Sequence, residues 1–305
     1  METIPPFPAY APRCLVDFMP ETVINCPVCH HETSKHIDTR QFRGNTVHNR
    51  VCAHCGLVFQ SPRMNTKELD EFYASEYRQI YQGDEGPSPK DLLTQEKRAS
   101  ALLEYVTGTI PEVERHLDIG CSAGTLLDTF RDHYGSHPVG VEPGDAYRIY
   151  AQGKGLTVYS DIADLQSARE SKFDFISLAH VLEHLSNPVG YLTYLREQFM
   201  TTDGWLLIEV PNLYCHDSFE VAHLISFSAH TLRQTVQRSG YEIVILESHG
   251  RPRSELLGLY LTVLARSNKQ VGIIQPEKRV AQKRQLGMLR RRVLQRLFPK
   301  RAWIR

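Results

Sequence analysis

The chain has 305 residues, 41% hydrophobic and 23% charged, with 35 basic and 35 acidic side chains and a formal net charge of zero. These proportions are those of an ordinary folded protein, with room for one large domain and a smaller module. No run of eighteen apolar residues occurs, so no membrane-spanning helix is expected. The opening "METIPPFPAYAPRC" lacks the basic-then-apolar order of an export signal, which makes a cytoplasmic location the expectation.

The zero net charge conceals a split. Residues 271–305 hold eleven Lys or Arg and a single acid, Glu277, giving +10, so residues 1–270 carry −10. The body is acidic and the tail basic. Four of the seven cysteines form two Cys-x-x-Cys pairs, Cys26/Cys29 and Cys52/Cys55, while Cys14, Cys121 and Cys215 are scattered. Paired spacing of this kind reads as metal binding rather than as a disulfide set.

In chain order, residues 20–63 read as a zinc ribbon. Each knuckle directs two thiolates at one tetrahedral ion, and "HIDTRQFRGNTVHNRVC" between them alternates as a short hairpin does. Four sulfurs saturate the ion, so His30, His31, His36, His48 and His54 read as surface residues. Structural zinc stabilises such a small fold by on the order of 10 kcal/mol. Residues 64–110 follow a helical period, with Leu69, Phe72, Tyr73 and Tyr77 in one stretch and Leu92, Leu93, Leu102, Leu103 and Val106 in the next. They read as a linker or cap.

Residues 111–268 alternate strand and helix signals through "RHLDIG", "HPVGVEP", "GLTVYSD", "FDFISLAH", "GWLLIEVPN", "YEIVILESHG" and "LYLTVLAR". That order predicts an α/β fold, a Rossmann-like doubly wound sheet of seven strands ending in an antiparallel pair. Residues 269–305 form the basic tail, read as an amphipathic helix with Leu286, Leu289, Val293, Leu297 and Phe298 on one face. A helix of that kind suits an anionic membrane surface, at about 1 kcal/mol per Lys or Arg, or the acidic body of a neighbouring chain.

"HLDIGCSAGTL" at 116–126 holds a glycine turn between a strand and a helix. No lysine follows Gly124, as an ATPase loop requires, and Ser122 occupies the middle position where a dinucleotide loop needs glycine. The turn therefore suits a ligand without phosphates. Gly120 and Gly124 permit close approach, Asp118 offers negative charge, and Glu142 ends the next strand, where a carboxylate takes both hydroxyls of a ribose. A cationic, phosphate-free nucleoside with a free ribose describes S-adenosylmethionine.

On these residues the chain resembles the class I S-adenosylmethionine-dependent methyltransferases across about residues 110–265. "LDIGCSAG" is similar to their first motif and "GVEP" to their second, with Glu142 in the ribose role. In "SDIADL", the resemblance implies that Asp161 and the backbone of Ile162 meet the adenine. "FSAHTLRQTVQRSGYEIV" is similar to the segment before their sixth strand. The ribbon ahead of this domain resembles a narrower bacterial group acting on deoxysugar nucleotides and other small molecules. Its C-methyltransferases carry Tyr-His-Glu-His before Phe-Ser, whereas "EVAHLISFS" keeps only His223, which argues against a carbon acceptor.

Because the cofactor carries both the methyl and its leaving group, the protein mainly positions the acceptor and removes its proton. Histidine is the usual group for that near neutral pH. His180 and His184 after the fourth strand and His223 after the fifth are the candidates, with His223 preferred. Neighbouring helical residues point about 100° apart, so Glu183, between two histidines, reads as a structural partner. Cys121 reads as filling a small space, and Arg251 or Arg253 would meet an anionic substrate.

The expected function is methyl transfer to a small molecule, a sugar or glycan-precursor hydroxyl, with a nucleotide sugar or glycan as acceptor. One alternative is an RNA methyltransferase that grips RNA with ribbon and tail. The ribbon's lack of interleaved aromatics and the acidic body oppose it. A non-catalytic scaffold on the same fold is the other. A tail at the inner membrane surface would suit lipid-linked glycan substrates.

Overall fold

The computed structural model describes residues 20–42, 45–65, 68–69, 86–268 and 270–304. The helical pattern of residues 66–81 lies almost wholly outside them. Two sheets organise the rest.

The larger sheet is built from alternating elements: β4 (Arg115–Ile119), α2 (Thr125–Tyr134), β5 (His137–Val141), α3 (Asp145–Gly153), β6 (Thr157–Tyr159), α4 (Ile162–Ser167) and β7 (Phe173–Ala179). A 3-10 turn (Leu182–His184), α5 (Pro188–Gln198), β8 (Met200–Pro211), α6 (Ala229–Arg238), β10 (Tyr241–His249) and β11 (Tyr260–Ser267) complete it. The strand order is β10-β11-β8-β7-β4-β5-β6. Strands β4 to β8 are parallel, and β11 enters antiparallel between β8 and β10. The expected seven strands and terminal antiparallel pair are thus both present. Parallel strands covered on both faces need nearly continuous apolar runs, and in "FISLA" the side chains from Phe175 to Leu178 are buried.

The chain runs outward from β4 to β5 and β6 on one side and to β7 and β8 on the other. The reversal between β4 and β7 opens a crevice at the carboxyl ends of the strands, the usual ligand position in such sheets. Gly140 on β5 leaves room for Cys121: a Cβ there would stand 2.5 Å from Cys121 Sγ. The cysteine fills that slot in the core.

The smaller sheet, β1-β2-β3-β9, begins with the expected hairpin, β1 (Ser34–Phe42) and β2 (Asn45–Cys52), followed by β3 (Val58–Gln60). Its fourth strand, β9 (Ile225–Ser226), comes from the far end of the chain and pairs antiparallel with β3. Leu57 and Phe59 are buried in the same core as Leu224, Ile225 and Phe227. Each such side chain contributes about 1.5–3 kcal/mol, so the N-terminal sheet is packed into the larger domain.

Helix α1 (Pro89–Thr107) starts at a capping box formed by Ser88 and Asp91 and lies over α2, burying Ala99, Leu102 and Val106. Helix α7 (Val280–Leu297) and the short α8 (Pro299–Ala302) form the basic tail. Val280 and Arg284 face the body, and Arg284 stacks on Phe219 while donating to the carbonyl of Leu213. The apolar row points the other way: Leu286, Leu289, Val293, Leu297 and Phe298 are between 46% and 68% exposed.

Candidate functional site

A cleft of about 510 Å³ opens at the carboxyl ends of β4, β5, β6 and β7 and is roofed by Gln95, Arg98, Ala99 and Leu102 of α1. Its wall holds Asp118, Gly120, Glu142, Asp161, Ile162, His180 and His184. Seven of the nine residues singled out from the sequence for the cofactor or the base thus meet in one crevice; Gly124 and His223 are not in its wall.

The turn after β4 has a left-handed backbone at Gly120 (φ 71°), Ser122 (φ 52°) and Gly124 (φ 73°). A Cβ at Gly120 would stand 2.6 Å from Val181 Cγ2, and one at Gly124 would run into Leu156. Both glycines are therefore fixed by close packing as well as by conformation. Glu142 is only 3% exposed, and its two carboxylate oxygens accept from the backbone N–H of Ser122 and of Gly144, each at 2.8 Å. The carboxylate ties the glycine turn to the loop after β5. Asp161 caps α4 by accepting from the N–H groups of Ala163 and Asp164 at 2.8 Å, which holds Ile162 at the cleft.

Asp118 is buried, and Ser177 donates to its Oδ1 at 2.6 Å. Ser177 spends its one proton there, so His116 Nε2, 2.7 Å away, must donate to Ser177. Burial pushes His116 down to about 3, leaving the ring neutral, and its Nδ1 is an acceptor without a partner. Burial likewise pushes Asp118 up to about 7, with Glu142 adding repulsion and Ser177 opposing the shift.

On the other side of the cleft, His180 has a left-handed backbone (φ 58°), which sets its ring between two buried carboxylates. Nε2 lies 3.1 Å from Glu209 Oε1 and Nδ1 lies 3.3 Å from Glu183 Oε1. Burial and Arg98 oppose protonation of His180, but the two carboxylates prevail and raise its proton affinity. Arg98 Nε also reaches Glu209 at 2.9 Å. With a carboxylate against each ring nitrogen, His180 has no nitrogen left for an incoming proton.

His184 and His223 differ. Their rings meet edge to face, with centroids 4.9 Å apart. His184 Nδ1 lies 2.9 Å from the carbonyl of Ala222, and His223 Nδ1 lies 2.9 Å from that of Ser218. A carbonyl only accepts, so both Nδ1 atoms carry the proton and Nε2 carries the lone pair. Burial lowers the proton affinity of both rings, that of His184 to about 4. Glu183 stands beside them on the 3-10 turn. On that turn neighbours point about 120° apart, yet ligand atoms of Glu183, His184 and His223, one from each, lie within 4.8 Å of one another.

The sequence reading missed Arg98 and Glu209. Glu209 is the one charge in "LLIEVP", and an acid in an otherwise apolar strand demands a buried partner. Arg251 and Arg253 are not in the cleft wall. Arg251 pairs with Glu104 at 2.6 Å at the surface, and Arg253 lies over Trp303. A proline-containing turn at 251–253 directs them away from the strand ends.

In the ribbon, Cys26, Cys29, Cys52 and Cys55 bring all four Sγ atoms within 4.8 Å of one another. The Cys26–Cys55 and Cys29–Cys52 separations are 3.6 and 3.5 Å. A tetrahedron with zinc–sulfur arms of about 2.3 Å has edges of about 3.8 Å, so the cage fits zinc with little adjustment. Hydrogen bonds among the crowded thiols pull Cys29 down and Cys52 to about 6, while pushing Cys26 and Cys55 up. Four sulfurs at this spacing cannot all ionise without a cation to share.

A doubly wound sheet, a phosphate-free glycine turn and an acid at the tip of the second strand define the nucleoside-binding class of methyltransferases. Residues 93–246 match the methyltransferase domain family, and the chain belongs to it. It is similar to the ubiquinone biosynthesis O-methyltransferase of Cereibacter sphaeroides, 30% identical over 100 residues that cover 31% of this chain and 39% of that one. A protein of the same name from Hahella chejuensis is 29% identical over 86 residues, covering 26% and 36%. The chain spans less than two-fifths of the length of these curated relatives. Among solved structures, it is similar to the plantazolicin methyltransferase BpumL in complex with SAH, at TM-score 0.49 and 13% identity, covering 66% of this chain and 94% of that one. The magnesium protoporphyrin IX methyltransferase of Synechocystis gives TM-score 0.47 at 14% identity, covering 67% and 100%.

The buried Asp118 makes a pH prediction. Between about pH 4 and 7 the folded carboxyl keeps a proton that the unfolded chain has released, so its contribution to stability falls as pH rises through that window. At about 1.4 kcal/mol per tenfold change in proton affinity, the loss reaches on the order of 4 kcal/mol. Asp118→Asn keeps an acceptor for Ser177 without the charge. Its melting temperature should exceed that of the wild type at pH 8 and converge with it near pH 4; parallel curves would refute the assignment.

Proposed function

We propose that the chain is an S-adenosylmethionine-dependent O-methyltransferase acting on a small-molecule hydroxyl, with a sugar or glycan precursor as the preferred acceptor. The observation that carries the reading is Glu142, a buried acid fixed by two backbone amides at the wall of a cleft that also holds Asp118 and the glycine turn. The residues fit the cofactor in three respects. Glu142 suits the ribose hydroxyls, and Asp118, which meets no basic side chain among the described residues, suits a cationic group. Among the described residues of the cleft wall, the one guanidinium, Arg98, is taken by Glu209 rather than left for a phosphate. Ile162 would lie against the adenine, with Asp161 capping the helix beneath it.

S-adenosylmethionine, when bound, supplies an electrophilic methyl and a neutral leaving group. The chain's own residues hold the acceptor and remove its proton. His223 takes the proton on Nε2, since its Nδ1–H is committed to Ser218 and the ring is neutral at physiological pH. The buried Glu183 carboxylate stabilises the imidazolium that forms, and His184 packs against it. His180, engaged on its two nitrogens by Glu183 and Glu209, is a wall and positioning residue. The matches to O-methyltransferases support an oxygen acceptor.

We also assign zinc to the four-cysteine cage, in a structural role, and an anionic bilayer surface to the outward face of α7, where exposed Arg290 and Arg296 flank the apolar row. An inner-membrane location follows from that second assignment.

Calorimetry with SAH tests the first reading. Glu142→Ala removes charge-assisted hydrogen bonds of roughly 1.5–3 kcal/mol each and should weaken binding at least tenfold. Wild-type protein that binds no SAH would end the proposal. Elemental analysis of purified protein should find zinc, with Cys52→Ser losing one equivalent and several degrees of thermal stability; full stability without that equivalent would refute the structural role. Sedimentation with vesicles rich in anionic lipid should pellet the full chain and not a version lacking residues 270–305, whereas equal pellets would exclude the tail as the anchor.

A further inference from the structure

We propose that Glu183, His184 and His223 form a site for a divalent first-row cation at the acceptor end of the cleft. Three observations converge on it. One ligand atom from each residue lies within 4.8 Å of the others. A cation with arms of about 2.0–2.2 Å spans ligands up to about 4.4 Å apart, so movement of a few tenths of an ångström closes the set. Both rings donate Nδ1–H to a backbone carbonyl, at 2.9 Å, which fixes the tautomer and turns Nε2 into the ligand atom. Metal-bound histidines are oriented in this way.

The third observation is the carboxylate. Glu183 is 1% exposed, and neither oxygen makes a hydrogen bond of good geometry. His180 Nδ1 stands 3.3 Å from Oε1, close enough for attraction but poorly aligned. An ionised acid buried without hydrogen bonds costs several kcal/mol, and natural sequences retain such groups where something binds them. Two imidazoles and one carboxylate favour Zn²⁺, Fe²⁺, Co²⁺ or Mn²⁺ over Mg²⁺, and three protein ligands leave coordination positions open. Of the three ligands, His184 lines the cleft, which brings the site to its wall.

The inference deepens the O-methyltransferase reading in its purpose, though the existence of the site does not depend on it. A hydroxyl oxygen on the cation has its proton affinity lowered by several orders of magnitude. Such a cation would let the hydroxyl give its proton to solvent water while the oxygen keeps the electron pair. His223 serves as a ligand in that form and as the direct proton acceptor in the metal-free form.

The test is titration of the full-length protein with Co²⁺ alone, followed by visible absorption. Wild type should take up one Co²⁺ with the weak ligand-field bands of a nitrogen and oxygen site. Cobalt in the ribbon would instead show intense thiolate charge-transfer bands, so the two sites are told apart. Glu183→Gln, which matches the original in shape, and His223→Ala should each weaken the ligand-field site at least tenfold, while the thiolate bands of the ribbon stay unchanged. Should His223→Ala not fold, Glu183→Gln decides. No uptake outside the thiolate bands, or equal uptake by Glu183→Gln, would overturn the site. SAH calorimetry on the same samples separates the two claims: Co²⁺ binding without SAH binding sinks the methyltransferase reading alone, and SAH binding without Co²⁺ sinks only the cation site.

Discussion

Gln60 of β3 reaches across from the N-terminal sheet and donates its side-chain amide to the carbonyls of Glu220 and His223, each at 2.7 Å. Its backbone N–H goes to Leu224 at 2.9 Å, and Phe59 pairs with Ile225. Between β8 and α6 the chain is otherwise irregular, apart from the two residues of β9. Irregular segments hold a side chain in place only if their carbonyls are engaged elsewhere. The ribbon supplies that engagement, so His223 is positioned by residues that precede it by much of the chain. On this view the cysteine cage is a remote part of the acceptor site rather than an independent grip.

Burial of acids organises the cleft itself. Asp118, Glu142, Glu183 and Glu209 are each no more than 3% exposed. Each handles its charge differently. Glu142 accepts backbone amides, Asp118 gains protons and accepts from Ser177, and Glu209 is neutralised by Arg98 and His180. Glu183 alone among these four lacks a well-made hydrogen bond. A buried charge is tolerated when it is paired or used. Three of the four are therefore well engaged, whereas Glu183 rests on one poorly aligned contact with His180 at 3.3 Å.

Much of this was legible in the sequence because the local rules and the fold agree. The period of apolar residues gave the seven strands, the glycine spacing gave the turn after β4, and Cys-x-x-Cys pairs gave the cage. The tail is a helix, as its spacing implied, and its apolar row does share one face. Other features depend on contacts between distant segments. The pairing of β9 with β3 joins two short runs with no common pattern, and "LIS" carries no strand signal beyond three residues. Arg98 reads as an ordinary exposed helical residue until Glu209 is set opposite it. Glu183 does pair with His180, as its place between two histidines implied, but "VLEHL" has helical spacing while Leu185 has an extended backbone and ends the turn after three residues.

The pairing of Val58 with Ser226 also bears on how the chain is made. An N-terminal module that emerges first during synthesis ordinarily finishes folding alone, but this one lacks its last strand until the ribosome has passed residue 226. Closing so long a loop is slow, and contacts of that span raise contact order and delay the final assembly. A bound ion in the cage would keep the nascent hairpin from unravelling during the wait.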